Sequence, residues 1–378
     1  MVSRINCVLA AVLHEDPQVI PQLMSFTNEM ARAKFLSLSS RRLDKAERDI
    51  EGFSYVGGAD TLQGLKRIIK EAEFLDNFLV GSGSGCFRVK YVKAIGTNWR
   101  VMEWETGAVW KVGTEKSIWA REYLGYPVKD EEDIEDLQLP DPDDPERYDG
   151  VERAIKFVLE KDFFPICSIN GFFSGIWYYL RGPLEIVLID MYRRIDFYLK
   201  LLSKLGEFNL AAEKNLLERG ALMIGWVDDL GYNNGMFMNP KLYEKLIFPW
   251  HAKAIRLAHK YGAFVNMHSH GNINAIVHLL VEAGLDILNP IGPTDNMDLK
   301  HLKEMYGDTL CLQGGLSKEI GLMTISELRE HLKDRIRVGS PGGGFILSSE
   351  GGIPSEMRIE CFRGFLQLSK KYRKNIPK

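Results

Sequence analysis

From residue 150 onward the apolar positions fall into short runs separated by longer amphipathic stretches. A helical pattern over 151–161 leads to FFPICSI (163–169), and helical segments reaching about 219 lead to ALMIGWV (221–227). A helix over 240–261 leads to AFVNM (263–267), 273–283 to DILNP (286–290), 298–306 to TLCLQ (309–313) and 324–337 to GFILSS (344–349). A last helix spans about 354–373. The runs are rich in Ile, Leu, Val and Phe, as strands covered on both faces require. Gly220, Gly262, Gly284 and Gly307 sit where a helix ends and the chain turns back. Strands that alternate with helices pair in parallel, because a parallel return needs a crossover. Six such strands follow residue 160, and 77–112 is expected to supply two more. Eight in this order predict an α/β fold, a (β/α)8 TIM barrel. An open doubly wound sheet lacks its main support, since no GxGxxG follows the first strand.

The first half reads differently. Residues 21–49 are rich in helix formers and contain no glycine, and 60–75 place Leu62, Leu65, Ile68 and Ile69 on one stripe with Asp60 as the cap. Residues 1–75 are therefore expected as an N-terminal helical extension packing on a barrel domain of 76–378. GSGSG (81–85) reads as a loop and 86–112 as strands or hairpins. The acidic, proline-punctuated stretch 129–149 reads as a solvated surface loop.

Composition narrows the setting. With 48 basic and 51 acidic residues the formal charge is −3, which gives no electrostatic reason to expect nucleic acid or an anionic membrane as partner. Five scattered cysteines without a CxxC argue against a disulfide framework and for a reducing compartment. CVLAAVL (7–13) is too short for a secretory core and runs directly into HEDP, and no apolar run approaches a membrane span. The cytoplasm is the expected location.

In a (β/α)8 barrel the site lies where the strands end at their C-terminal side. The residues just past the apolar runs are Asn170, Asp228, Asp229, His268, His270, Asn289, Gln313 and Glu350. The stretch NMHSHGN (266–272) stands out. Positions two apart in a strand point the same way, so His268 and His270 are expected side by side, within reach of one ion. Gly271 lets the backbone turn away and Asn272 starts the next helix. A zinc site needs a third protein ligand and an open position. Glu350 is the first candidate, because the last strand neighbours the first in a closed barrel; Asp229 is the second. The competing reading is a pair of rim histidines with no ion. Asp228 and Asp229 point to opposite faces, so one of them faces the site and the other caps a loop. Cys311 reads as buried filling, nothing near Cys86 in sequence would lower its pKa, and the aromatics of 172–179 are core or line a pocket for a flat substrate.

Four stretches carry a resemblance: SRINCVLAAVLHEDPQVIP; WVDDLGYNNGMFMNPKLYEKLIFPWHAKAIRLAHKYG; HSHGNINAIVHLLVEAGLDILNP; and YGDTLCLQGGLS with PGGGFILSSEGGIPSEM. Together they resemble the uroporphyrinogen decarboxylase superfamily, and within it the branch of zinc-dependent methyltransferases that act with corrinoid proteins. The resemblance implies the (β/α)8 barrel. The decarboxylases carry an arginine-rich N-terminal motif that grips substrate carboxylates; here Arg41-Arg42 lies in an ordinary helical context, which disfavours porphyrin chemistry. The methyltransferases bind zinc through His-x-Cys and a later Cys. This chain keeps His268, replaces the first cysteine with His270, and reads SSEGG in the last loop, so that either Glu350 takes over as third ligand or no metal is bound. The expected activity is methyl transfer between a small methylated compound, such as a methyl ether, or a thiol acceptor, and a corrinoid. Zinc is the expected metal, and the corrinoid arrives on a partner protein. Asp229 is the expected catalytic residue, orienting substrate or moving a proton, with Asn170, Asp228 and Gln313 as substrate contacts. A homodimer is compatible with the sequence. Two rivals are a metal-independent decarboxylase or lyase, and a non-enzymatic relative that binds the corrinoid partner. An amidohydrolase-like hydrolase also uses HxH, but at the end of its first strand.

Overall fold

The computed structural model describes residues 2–38, 62–96, 99–113 and 121–374. The first strand of the main sheet is β1 (Leu79–Ser84). An antiparallel sheet of four follows: β2 (Val89–Ile95), β3 (Trp99–Trp104), β4 (Val109–Gly113) and β5 (Arg121–Gly125). The main sheet resumes with β6 (Phe164–Ser168) and β7 (Met223–Val227). After a two-residue hairpin, β8 (Gly231–Tyr232) with β9 (Gly235–Met236), it continues through β10 (Phe264–His268), β11 (Ile287–Ile291), β12 (Cys311–Leu316) and β13 (Phe345–Ser349). Its seven strands pair in parallel in the order β1-β6-β7-β10-β11-β12-β13, with helices between successive members. This is the curled sheet of a TIM-barrel-like fold, and β6, β7 and β10 to β13 lie where the apolar runs placed them.

Four expectations for the first half are corrected. Residues 77–112 supply one barrel strand, not two, because 89–113 turn away into the antiparallel sheet. That one strand runs through the GSGSG taken for a loop. A Cβ on Gly83 would lie 2.9 Å from Cys167 Sγ and 3.0 Å from Val151, so glycine is what lets β1 lie tight against its neighbours. The eighth place around the barrel is taken by Ile20–Phe26, expected as helix. Leu23 N–H donates to Leu347 O (3.0 Å), Leu347 N–H to Pro21 O (2.9 Å) and Phe78 N–H to Gln22 O (2.9 Å). Parallel bridges join Gln22 to Leu347 and Phe26 to Ile353. Pro21 explains the extended backbone: it has no N–H, and its ring steers Ile20 away from the helical region. Helix begins only at Glu29–Leu36, capped by Asn28. The expected cap at Asp60, residues 39–49 of the expected helix and Arg41-Arg42 lie outside the described residues. The acidic stretch is not all loop, since Asp130 and Asp133 form a capping box that starts a helix over Glu131–Asp136.

The two-residue alternation of the strands sorts the interior into layers. At the N-terminal end, Leu79, Phe164, Met223, Ile287, Cys311 and Ile346 pack on Cys7, Val8, Ala11 and Val12 of the helix Arg4–Val12, which plugs that end. One step further along, β1 and β7 present Gly81 and Gly225, while β10 and β12 present Asn266 and Gln313. A cavity of about 180 Å³ remains there. A third step reaches His268 on β10 and the rim.

Among the described residues no helix is long and apolar enough to cross a membrane. The long helix Ile195–Glu218 carries one misplaced charge: Glu213 is fully buried and neither carboxylate oxygen has a partner. Burial holds its carboxyl well above the usual range. A raised folded-state value favours folding fully below the unfolded value and loses that contribution as pH rises through the folded one. Glu213→Met should therefore stabilise the chain by about 1–3 kcal/mol at pH 4, where the neutral carboxyl is still buried without a partner, and by more at pH 8. Urea melts at the two pH values check this, and equal gains at both would refute it.

Candidate functional site

The rim is stitched by hydrogen bonds beyond the strand ends: Asp228 N–H donates to His268 O and Ser269 N–H to Asn289 O, each at 2.7 Å. His268 ends β10, and His270 follows it with ring centroids 4.8 Å apart and planes at 83°. Gly271 makes the exit turn at φ 91°, where a Cβ would meet the Gly231 backbone at 2.0 Å.

The two imidazoles differ in setting. His268 Nδ1 lies 2.7 Å from Asn289 Oδ1, an atom that can only accept. The proton is therefore on Nδ1, and Nε2 is a bare lone pair, 3.8 Å from Asp229 Oδ1. Burial pushes His268 down to about 4, with the neighbouring His270 adding to it against the Asp229 charge. Burial also works against a charged His270. The hydrogen bond that His270 Nδ1–H donates to Asp295 Oδ2 (3.3 Å), with the charges of Asp229, Asp295 and Glu350, outweighs it and holds His270 above its ordinary value. Behind His268 the polar chain continues inward. Asn289 Nδ2 donates to Asn266 Oδ1, and Asn266 Nδ2 donates to Gln313 Oε1 at 3.0 Å. This amide chain fixes the His268 tautomer from within the barrel.

Asp229 is held from three sides. Its N–H donates to Ser174 Oγ (2.8 Å), Oδ1 accepts from His270 N–H (3.0 Å) and Oδ2 accepts from the Tyr178 hydroxyl (3.1 Å). Tyr178 belongs to a π-helical turn, Ile176–Leu180, a wider coil that often marks functional positions. Burial first, and then the Asp229 charge, keep its hydroxyl protonated far into the alkaline range.

Asn170 and Asp228, expected on the substrate, lie behind the site wall. Asn170 is 2% exposed; its Oδ1 accepts from Phe87 N–H and its Nδ2 donates to Asn209 Oδ1. Asp228 is fully buried, accepts from the backbone N–H groups of Phe172, Phe173 and Ser174, and lies 2.7 Å from His251 Nε2. Tyr243 meets the other nitrogen of His251 at 2.9 Å. Gln313 lines the cavity with His268 and Asn289. Glu350 is buried at the rim: Oε1 accepts from Lys318 N–H (2.8 Å) and Oε2 from Thr294 N–H (3.2 Å). Burial raises its carboxyl, against those hydrogen bonds.

The donor set has the chemistry of a zinc site: each histidine has Nδ1 on an oxygen, which leaves Nε2 to coordinate. Among the described residues, no three His, Cys, Asp or Glu side chains already form one ion-sized group.

The uroporphyrinogen decarboxylase (URO-D) family model matches residues 119–372. The chain belongs to the URO-D family. No curated protein sequence matches it. Among solved structures, a methyltransferase from Methanosarcina mazei superposes with TM-score 0.67 at 14% identity, covering 98% of this chain and 99% of that one. A B12-independent methionine synthase from Shewanella sp. W3-18-1, in complex with selenomethionine, follows at TM-score 0.46 and 10% identity, over 96% and 94% of the two chains. The first likeness establishes a shared fold.

Several residues of this URO-D site escaped the sequence reading. Tyr178 falls among aromatics expected as core or as the lining of a pocket for a flat substrate, because a π-turn leaves no periodic signal. Asp295 lies in GPTD just past β11, the same kind of position that singled out the other rim residues, and so could have been found. Asn266 faces inward from mid-strand and carries no signal of its own.

Proposed function

We propose that this URO-D protein is a corrinoid-dependent methyltransferase, moving a methyl group between a small methylated compound, such as a methyl ether, or a thiol acceptor, and a corrinoid carried by a partner protein. His268, His270 and Glu350 would hold a zinc ion. The observation that carries the reading is the His268–Asn289 hydrogen bond, which presents a neutral imidazole with Nε2 open beside Asp229. Membership of the family and the fold shared with a methyltransferase support it.

When bound, zinc supplies Lewis acidity to the substrate heteroatom, which lowers the pKa of a thiol or polarises an ether oxygen. The chain's own residues do the rest. Asp229, fixed by Tyr178 and the His270 N–H, orients the substrate and takes or returns its proton at Oδ1. Asp295 keeps the His270 ring in place. Gln313 offers a hydrogen bond from the chamber wall, while Asn170 and Asp228 act through the segments they hold. Tyr178→Phe should cost about 1 kcal/mol of stability and lower kcat roughly tenfold with KM little changed, as misplacing Asp229 implies. Steady-state kinetics check it, and an unchanged kcat would remove Tyr178 from the site.

The direct test uses protein purified without chelator. Elemental analysis should find about one zinc per chain. Incubation with a reduced corrinoid protein and a methyl ether, or with the methylated corrinoid protein and a thiol, should transfer methyl. Finding neither zinc nor transfer overturns the proposal and favours the metal-independent decarboxylase or lyase.

A further inference from the structure

The four-stranded sheet β2–β5 holds the turn that carries Tyr178. A π-helical turn is a wide coil, and this one closes with Arg181 N–H donating to Ile176 O (2.8 Å). Its last three carbonyls accept from the antiparallel sheet and its flank. Trp110 Nε1–H of β4 donates to Tyr178 O (2.9 Å), the Thr106 hydroxyl between β3 and β4 to Tyr179 O (2.9 Å), and Val128 N–H, just past β5, to Leu180 O (3.0 Å). The rings of Trp104 and Trp110 pack on Tyr179, with centroids 4.9 and 5.4 Å away. Three consecutive backbone groups at the rim are thus satisfied by a sheet that is not part of the barrel.

The same sheet sets a charge against the Tyr178 ring. Arg121 opens β5, and its guanidinium lies 3.9 Å from the centroid of Tyr178 and 4.2 Å from that of Trp110. A cation over a phenol face is attracted to the ring and draws on its electron density, which makes the hydroxyl a stronger donor. Arg121 thereby works against the burial and the Asp229 charge that hold the Tyr178 proton. That hydroxyl donates to Asp229 Oδ2 (3.1 Å), and Asp229 Oδ1 accepts the His270 N–H (3.0 Å). A continuous line of contacts therefore runs from β4 and β5, through Tyr178, to the carboxylate beside His268. Loss of the guanidinium would weaken the donor and release the ring, and Asp229 would lose one of its three supports.

We propose that Arg121 and Trp110 are positioning residues for Asp229, acting through Tyr178, so that the β2–β5 sheet sets the orientation of the carboxylate at the rim. The inference rests on the methyl-transfer reading of the site, in which Asp229 orients the substrate and moves its proton. Arg121→Met should lower kcat severalfold with KM little changed, and Arg121→Lys, which keeps a cation at the ring, should recover most of the loss. Trp110→Phe, which keeps a ring but removes the N–H, should behave as Arg121→Met does, and it carries the same comparisons should the methionine variant fail to fold. In a Tyr178→Phe background, where the hydroxyl is gone, either change should alter kcat by less than about twofold. A loss as large there as in the Tyr178 protein means a merely structural role and overturns the inference. A second readout needs no turnover. Hydrogen exchange of the full chain, resolved to the His270 amide, should run several times faster in Arg121→Met and Trp110→Phe, because Asp229 holds that N–H. The two readings fail separately. A protein that transfers no methyl, yet exchanges the His270 amide faster in the variants, keeps the support and loses the reaction; one whose variants match wild type in both kcat and His270 exchange loses the support alone.

Discussion

Asp228→Ala should lower the folding free energy by about 4 kcal/mol or more, a large part of the total that a domain possesses. The carboxylate is fully buried and accepts from three consecutive backbone N–H groups, at Phe172, Phe173 and Ser174, besides contacting His251. Alanine leaves each of these buried groups without a partner, and each costs roughly 1–3 kcal/mol. Water cannot replace the carboxylate easily, because Phe172, Trp226 and His251 pack around the position. The effect should also reach the site. The turn that Asp228 holds includes Ser174, whose hydroxyl accepts the Asp229 N–H, and leads into the π-turn that carries Tyr178. Urea denaturation measures the loss. A change below about 1 kcal/mol would show that Asp228 is not a strut, and would return it to the role of a substrate contact.

Most of the barrel was legible because its strands are apolar on both faces and separated by helices, a pattern that depends on nothing distant. β6, β7 and β10 to β13 were found that way, and the rim residues followed from where those runs stop. The closing seam was not legible. Pro21–Ser25 is extended because of partners at Leu347 and Phe78, more than 50 positions away, and nearby helix formers mask that pairing. β1 is illegible for the opposite reason: Gly83, of a type that normally marks a loop, is there because Val151 and Cys167 press against the strand. Within the site, the HxH pair followed from the two-residue period, and the rings do lie side by side. The division between residues that face the site and residues that support it could not be read. Asp228 and Asp229 are chain neighbours of one type, and only packing distinguishes the buried strut from the carboxylate beside His268.

His268→Ala should remove the zinc and reduce methyl transfer by roughly 10³-fold or more, since the ligand and the Lewis acid leave together. The substitution should be tolerated by the fold: the ring is partly exposed at the rim, and its loss strands one Asn289 oxygen that water can reach. Asn289→Leu tests the supporting bond separately. It leaves the ligand in place but frees the tautomer, so zinc affinity should fall 10–100-fold, as removal of a supporting partner typically does. The third ligand is decided by comparing Glu350→Gln with Asp229→Asn. If Glu350 coordinates, its amide variant loses zinc, while Asp229→Asn keeps zinc and loses turnover. The reverse result would move the ion toward Asp229, whose Oδ1 is 3.8 Å from His268 Nε2. The two histidines also set the pH response. His268 remains neutral at any pH well above 4, whereas His270 holds its proton more tightly than a free imidazole. A proton on His270 competes with the metal, so zinc uptake should weaken as pH falls below neutral. Full zinc content in His268→Ala would end the metal reading, whatever the other variants do.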